Sequence, residues 1–163
     1  RDTVSMPNVI FICTANICRS PMAEKFFQQQ LEQHGLAANY HVSSAGTWAQ
    51  EGLPADRIVS RIVEEQYGLS LQEHRSKEVN KELLAEQDLI LVMEKNQREA
   101  LQIEFAEKQK KIFLLSEMVG QEFDIADPHR QTEQDYQKAA QQIYQIITVG
   151  FPEILKRANQ DGE

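Results

Sequence analysis

The feature of this sequence that most restricts its fold is the stretch over residues 9–24, VIFICTANICRSPMAE. Residues 9–12 form a short β-branched and aromatic run, which is typical of a buried strand. Ser20 followed by Pro21 is typical of a helix N-cap with proline at the first helical position. The sequence therefore predicts a strand that leads into a helix through one tight loop.

The predicted loop combines a thiol with a guanidinium. Cys13 and Arg19 enclose five residues, so we expect both side chains to face one concavity, into which backbone N–H groups and the helix N-terminus also point. These groups stabilise a thiolate, and the planar fork of arginine binds two phosphoryl oxygens at once. Ser20 can donate a hydrogen bond to the sulfur, and Asn16 is of a type that tolerates positive φ. The loop is predicted to bind a tetrahedral dianion above a nucleophile.

The two cysteines allow other interpretations. A lone cysteine at a strand end is most often a small apolar core residue, but the C-x5-R-S-P context of Cys13 favours a nucleophile. A zinc site is disfavoured, because C-x4-C with scattered histidines lacks a second ligand pair, and we predict no metal and no cofactor. Cys18 is near enough in sequence to form a disulfide with an oxidised Cys13, and a packing role for Cys18 is an equal alternative.

Length and composition predict one domain over residues 1–163. The chain has 163 residues, of which 41% are hydrophobic, enough for one core. Residues 1–7 carry no hydrophobic segment, and we expect them to be disordered or foreign to the natural domain. No apolar run approaches the roughly 18 residues of a membrane span, so no membrane insertion is expected. Two cysteines form no disulfide framework, which favours a soluble protein of the reducing cytoplasm.

The net charge of −8 argues against nucleic acid or an anionic membrane surface as a partner. It does not exclude a phosphate-bearing substrate. Exposed charges farther away than about 8–10 Å are largely screened at physiological salt, so a local cradle of amides and arginine outweighs them.

The rest of the chain alternates strand and helix patterns. Further strands are predicted at 40–44, 88–93 and 111–115, and helices at 21–34, 55–67, 80–84, 94–107 and after Thr132. Pro152 predicts a kink or break of the last helix near Gly150. The fold class is therefore α/β, a single-domain, doubly wound, four-stranded parallel sheet with flanking helices and a phosphate-binding loop after the first strand.

In the loop that begins at Cys13, the sequence resembles the low-molecular-weight protein tyrosine phosphatases, whose loop reads C-x-G-N-I-C-R-S-P-x-A-E. This chain reads C-T-A-N-I-C-R-S-P-M-A-E. It departs at Ala15, where the family usually has glycine, and a modestly strained or shifted loop is expected there. The resemblance covers nearly the whole chain, and the segment D-L-I-L-V-M-E-K looks closest to bacterial members.

The resemblance implies roles for individual residues. Cys13 would be the nucleophile, Arg19 would bind the phosphoryl group, and Asp127 would be the general acid and base. From the residues alone, Asp127 before a proline is more often a turn residue. Members carry D-P-Y in this loop, and this chain carries D-P-H, so His129 replaces a pocket tyrosine. Trp48 and His129 are the candidate pocket walls.

The remaining expected site residues surround the loop. Substrate binding is assigned to the residues of the loop itself, namely Thr14, Ala15, Asn16, Ile17, Cys18 and Ser20. Family members tie the loop asparagine and serine to a serine after the second strand and to a histidine, whose places Ser44 and His74 match. A sibling branch that hydrolyses phosphoarginine has threonine at the place of Ile17, so Ile17 favours an aromatic leaving group.

The predicted function is hydrolysis of phosphotyrosine in proteins through a phosphocysteine intermediate, without a metal. Expected partners are phosphotyrosine proteins, among them a bacterial tyrosine kinase, and phosphate or vanadate are expected inhibitors. Two alternative functions use the same fold. A thiol-dependent arsenate reductase needs further cysteines, and none follows Cys18. A phosphate- or phosphopeptide-binding module without activity is suggested by Ala15 and His129.

Overall fold

The computed structural model describes residues 6–160. The strands are β1 (Asn8–Cys13), β2 (His41–Gly46), β3 (Leu89–Val92) and β4 (Ile112–Leu114). The α-helices are α1 (Arg19–Gln33), α2 (Arg57–Tyr67), α3 (Lys81–Ala85), α4 (Lys95–Glu104) and α5 (Glu133–Ala158). Three short 3-10 helices lie at Ala37–Asn39, Ala106–Lys111 and Leu115–Val119.

The N-terminal segment was expected to be disordered over residues 1–7. Residues 1–5 of that segment lie outside the described residues. Pro7 is buried, and its carbonyl oxygen accepts a hydrogen bond of 2.9 Å from the backbone N–H of His41. The packed part of the chain therefore includes Pro7.

The four strands form one parallel sheet in the order β2-β1-β3-β4, which confirms the predicted fold class. Because the strands are parallel, their carboxyl ends meet at one edge of the sheet, where such sheets bind ligands. Cys13 at the end of β1 pairs in register with Gly46 at the end of β2. The predicted anion-binding loop therefore begins at the ligand-binding edge.

Helices cover both faces of the sheet. Val9, Phe11 and Cys13 of β1 belong to the hydrophobic cluster that includes residues of α1, α2 and α5. Ile10 and Ile12 belong to a second cluster, which includes residues of α3 and α4. This alternation has the two-residue period of a strand that is buried on both faces. None of the helices in residues 6–160 is long and apolar enough to cross a membrane.

Helix α1 begins earlier than predicted. Its first residue is Arg19, and the N-cap residue is Cys18, whose side chain makes no capping hydrogen bond. Ser20, the predicted N-cap, lies inside the helix and is fully buried, with its hydroxyl oxygen 2.9 Å from the Cys13 sulfur. The prediction was wrong because the Ser20 hydroxyl contacts the sulfur instead of the helix N-terminus.

Helix α5 is not broken near Gly150, so of the kink or break predicted from Pro152 the break does not occur. It runs without interruption over Glu133–Ala158. Ile147, Phe151 and Ile154 on either side of the proline are buried in the main cluster, so packing holds the turn that loses one backbone hydrogen bond. The predicted caps at Thr132 and Asn80 are confirmed, since both side chains accept backbone N–H groups.

Gly150 of α5 packs closely against Met118 in the 3-10 helix Leu115–Val119. A Cβ atom at Gly150 would lie 2.9 Å from the Met118 carbonyl oxygen and 3.0 Å from the Met118 Cβ. Replacing glycine by alanine in a helix normally gains about 1 kcal/mol. Here overpacking, which costs about 1–3 kcal/mol, outweighs that gain.

We therefore predict that Gly150→Ala lowers the free energy of unfolding by up to about 2 kcal/mol, as measured by urea denaturation. The control is Val149→Ala on the same helix, because Val149 is 63% exposed. That control should change stability by less than about 0.5 kcal/mol. A stabilised Gly150→Ala variant would contradict the predicted clash.

Candidate active site

The Cys13 sulfur lies at the base of the loop between β1 and α1. Cys13 is 2% exposed, and its sulfur lies 2.9 Å from the Ser20 hydroxyl oxygen and 3.4 Å from the Ser20 backbone nitrogen. The Ser20 oxygen accepts a hydrogen bond of 2.8 Å from the side-chain amide of Asn16, which leaves the hydroxyl proton for the sulfur. Together with the N-terminus of α1, these donors stabilise a thiolate at Cys13.

Asn16 holds the loop in shape. It is fully buried and has a positive φ of 59°, which an asparagine tolerates better than most residues. Its side-chain amide also donates to the Ser44 hydroxyl at 3.0 Å, and its side-chain oxygen accepts from the Lys77 backbone N–H at 3.0 Å. Its backbone oxygen accepts from His74 Nε2 at 2.7 Å. The structure thus brings Ser44 and His74 against the loop, as expected.

Ala15 does not carry the strain that was expected of it. Among residues 6–160, the non-glycine positions with positive φ are Asn16 and Arg130. The left-handed conformation that the loop needs falls on Asn16, so an alanine at position 15 costs no backbone strain.

Arg19 is buried, with 1% exposure, and is held from one side. Its Nη1 donates to the Glu94 carboxylate at 2.5 Å and to the Ile125 carbonyl at 2.6 Å. Its Nη2 lies 3.5 Å from the Thr14 hydroxyl and 3.6 Å from the Asp127 carboxylate. Its Nε has no hydrogen-bond partner among the described residues although it is buried. The Nε–Nη2 edge is therefore oriented and available to bind two oxygens of one oxyanion.

Sequence reasoning missed Glu94 and Gln97, which orient Arg19 and the loop. The Gln97 side-chain amide donates to the Thr14 hydroxyl at 2.9 Å, and its oxygen accepts the backbone N–H of Glu94. Glu94 and Gln97 form a capping box at the start of α4. The pattern E-x-x-Q directly after the third strand was the signal that could have identified them.

Asp127 lies across the pocket from the nucleophile. One carboxylate oxygen accepts the His129 backbone N–H at 3.0 Å, and the other lies near Arg19. The side chain is 42% exposed, so protons can exchange with water. The structure brings Asp127 into the same pocket as Cys13 and Arg19.

His129 lies at the outer wall of this pocket and contacts a second acidic residue, Asp56, that was not predicted. His129 Nδ1 is 3.3 Å from an Asp56 carboxylate oxygen, which also accepts the Tyr136 hydroxyl at 3.0 Å. The other oxygen of Asp56 caps α2. Burial raises the pKa of Tyr136 to about 12, and the hydrogen bond to Asp56 acts in the same direction. The only sequence signal for Asp56 was its position directly before the apolar stripe of a helix, where an N-cap residue is expected.

The pocket above the sulfur is small. It is lined by residues of the loop, by Asp127 and by His129, namely Cys13, Ala15, Ile17, Cys18, Arg19, Asp127 and His129. Trp48 is not among the lining residues, and its side chain is 82% exposed. Only its backbone approaches the loop, with the N–H donating to the Thr14 carbonyl at 2.9 Å. The structure therefore does not bring Trp48 into the pocket.

Cys13 and Cys18 are both free thiols.

These contacts produce an oxyanion site with a thiol at its base, a guanidinium edge on one side and a carboxylic acid at its mouth. Such a site can hold a tetrahedral phosphoryl group for attack by sulfur and can supply a proton to the leaving oxygen.

Gly46 is required by the close approach of β2 to the loop. A Cβ atom there would lie 2.3 Å from the Thr14 carbonyl oxygen and 3.0 Å from the Asn16 backbone nitrogen. We predict that Gly46→Ala displaces the loop and weakens vanadate binding about 10- to 100-fold, the value of one hydrogen bond to a charged group. Isothermal titration calorimetry with vanadate measures the change.

The control for this variant is Gly120→Ala. Gly120 has a φ of +76° and no atom within 4 Å of an added Cβ. It should lose stability without losing vanadate affinity, since the strain is confined to its own turn. Wild-type affinity in Gly46→Ala would mean that the loop tolerates the displacement.

Comparisons with known proteins agree with this geometry. Residues 8–160 match the family model described as low molecular weight phosphotyrosine protein phosphatase. The chain is 34% identical over 146 residues to the "Probable low molecular weight protein-tyrosine-phosphatase EpsP" of Ralstonia nicotianae, covering 90% of this chain and 94% of that protein. It is 32% identical over 142 residues to the protein-arginine-phosphatase of Bacillus subtilis, covering 86% and 91%.

Among solved structures, the low molecular weight protein tyrosine phosphatase from T. tengcongensis superposes with a TM-score of 0.84 at 35% identity. The superposition covers 91% of this chain and 99% of that one. The sequence match and the structural match both extend over nearly all the described residues. This chain belongs to the low molecular weight phosphotyrosine protein phosphatase family.

Proposed function

We propose that this protein is a cysteine-dependent protein tyrosine phosphatase. The observation that carries the proposal is the buried Arg19 Nε, which has no hydrogen-bond partner among the described residues and belongs to the same pocket as Cys13. The neighbouring Nη2 makes only long contacts, of 3.5 Å to the Thr14 hydroxyl and 3.6 Å to the Asp127 carboxylate. Because Glu94 fixes the guanidinium from the other side, its Nε–Nη2 edge is suited to a bidentate oxyanion. The names of relatives such as the Ralstonia protein support phosphotyrosine as the substrate.

In the proposed mechanism the Cys13 thiolate attacks phosphorus while the bond to the phenolic oxygen breaks. Asp127 donates its proton to that oxygen, and a phosphocysteine remains. The Arg19 edge and the loop N–H groups stabilise the equatorial oxygens in both steps. Asp127, now a carboxylate, takes a proton from the attacking water, and the sulfur leaves as a thiolate stabilised by Ser20.

Hydrolysis of phosphoarginine is the second candidate function, because a relative of similar identity is named a protein-arginine-phosphatase. The walls of this pocket favour phosphotyrosine. Ile17 is apolar and β-branched, and the imidazole of His129 can stack on an aromatic ring. Initial rates on matched phosphotyrosine and phosphoarginine peptides separate the two candidates, and faster hydrolysis of phosphoarginine would reverse this assignment.

The physiological substrate is a phosphotyrosine protein, and we infer that it includes a bacterial tyrosine kinase. Beside the pocket, a shallow groove lined by Ile17, Ala55 and Ile58 offers a surface for peptide residues next to the phosphotyrosine. Substrate trapping from a lysate with Cys13→Ser, followed by release with vanadate, identifies the protein. A trapped set without phosphotyrosine proteins would contradict the inference.

For the nucleophile, we predict that Cys13→Ser abolishes turnover of p-nitrophenyl phosphate, because serine is not ionised at neutral pH. Vanadate affinity measured by calorimetry should fall much less than turnover, since Arg19 and the loop amides remain. The matched control is Cys18→Ser, a thiol in the same loop. Residual hydrolysis by Cys13→Ser at the wild-type rate would remove the nucleophile assignment.

For the acid, we predict that Asp127→Asn slows hydrolysis of phosphotyrosine by roughly 10²–10⁴-fold, the usual contribution of a general acid. The loss should shrink for aryl phosphates whose leaving group has a low pKa, because such groups need little protonation. Asp124→Asn, an exposed acid on the same segment, serves as the control. An equal loss for all leaving groups would count against the acid role of Asp127.

A further inference from the structure

We propose that Cys18, Asp56 and His129 form a binding site for a thiophilic divalent cation, best suited to Zn²⁺, and that a cation there blocks the substrate pocket. The metal site does not depend on the proposed function, whereas the block does. The three residues come from the phosphate-binding loop, the N-cap of α2 and the segment before α5. They lie far apart in sequence, so no spacing rule for metal sites identifies them.

The separation of the His129 nitrogen and the Asp56 oxygen fits a zinc ion, and the Cys18 sulfur lies near both. One ligand atom from each residue lies within 4.8 Å of the other two. His129 Nδ1 and the Asp56 oxygen are 3.3 Å apart, and bonds of about 2.0–2.1 Å in a tetrahedral site separate N and O ligands by about 3.3 Å. Thiolate, imidazole and carboxylate are the ligand types that zinc uses in proteins.

Cys18 belongs to the main hydrophobic cluster and supplies the sulfur ligand of the proposed site. It is 3% exposed, and its sulfur makes no hydrogen bond among the described residues. Cys18 nevertheless lines the pocket above Cys13, so an ion that enters this pocket comes close to it. Burial, with the negative charges of Asp56, Cys13 and Asp127, raises the pKa of the Cys18 thiol. The same negative surroundings attract a cation, which converts a coordinated thiol to a thiolate.

The other two ligands are held in place by neighbouring groups. The second carboxylate oxygen of Asp56 accepts the N–H groups of Ile58 and Val59 at 2.8 and 3.2 Å. The ligating oxygen accepts the Tyr136 hydroxyl as well. Hydrogen bonds of this kind orient the ligands in known metal sites and strengthen binding. The Asp56 carboxylate is therefore fixed before a metal arrives.

Binding of Zn²⁺ to this site changes the protonation of the ligands as follows from their chemistry. His129 binds as the neutral imidazole through Nδ1, with its remaining proton on Nε2. Cys18 binds as the thiolate, and its proton passes to the solvent. Binding of one Zn²⁺ to the neutral His129 form therefore releases one proton and involves no change in oxidation state.

The position of the site explains the proposed block. Cys18 and His129 both line the pocket that contains Cys13 and Arg19. A cation between them occupies the wall on which the aryl group of a substrate would rest. Zinc should therefore raise KM for aryl phosphates.

The first test measures binding directly. Protein freed of metal by a chelator is titrated with Co²⁺, whose bond to a thiolate gives a charge-transfer absorption in the near ultraviolet, and Zn²⁺ is then added in competition. We expect one equivalent of Co²⁺ with this absorption, displaced by Zn²⁺. The absorption should persist in Cys13→Ser and disappear in Cys18→Ser. The opposite pattern, or no binding of either metal, would overturn the proposal.

Variants at the other ligands guard against misfolding of Cys18→Ser. His129→Phe changes a side chain that is 40% exposed, and Asp56→Asn keeps an N-cap residue type. We expect each to weaken Zn²⁺ binding at least tenfold. His41→Gln, a histidine exposed at the start of β2, is the matched control and should bind as the wild type does. Unweakened binding in His129→Phe would overturn the ligand assignment.

The second test measures the block. With free Zn²⁺ set by a metal buffer, KM for p-nitrophenyl phosphate should rise in the wild type and in His41→Gln. The rise should be at least tenfold smaller in His129→Phe. An unchanged KM in wild-type protein that has bound one equivalent of zinc would overturn the block, while the binding titration would still stand as evidence for the site.

Discussion

The active-site loop depends on the hydrogen bonds of one buried amide side chain. Asn16 connects the loop to α1 through Ser20, to β2 through Ser44, and to the segment before α3 through the backbone of Lys77. Asn16 has a left-handed backbone, and its side-chain hydrogen bonds offset the strain of that conformation. The Asn16 amide donates a hydrogen bond to the Ser20 oxygen and so orients the Ser20 hydroxyl, whose proton then faces the Cys13 sulfur. Without this amide the hydroxyl would lose that orientation.

Electrostatic complementarity in this protein is local. The chain carries a net charge of −8, yet the proposed anion site is built from a buried arginine and the loop amides. Glu94 neutralises one end of the Arg19 guanidinium and fixes its direction. The opposite edge is therefore already oriented before an oxyanion binds. Distant surface charges are screened by salt, and the fixed dipoles of the loop are not. An acidic protein can thus bind a phosphate ester.

The sequence predicted the sheet, its helices and the loop because these follow from local patterns. Residues 9–24 combine a strand run, a short loop and a helix start, and the capping residues Asn80 and Thr132 act within three residues of themselves. Ser20 was assigned wrongly because its hydroxyl bonds to a sulfur seven residues away. The contacts of Asp56 with Tyr136 and His129 join segments that are far apart in sequence. Residue spacing cannot predict contacts of this kind. The break predicted at Pro152 does not occur, because packing over several turns outweighs one lost hydrogen bond.

The length of α5 has a consequence for how the protein folds during synthesis. The helix has 26 residues, ten of them buried against α1, α2 and the main core. It follows the other secondary structure of the described chain, so the apolar faces of α1 and α2 against which it packs stay exposed until this segment has been synthesised. During synthesis these faces can bind other apolar surfaces, and the docking of α5 removes that hazard. The same docking brings Tyr136 to Asp56, which means that the outer wall of the pocket is complete only once α5 is in place.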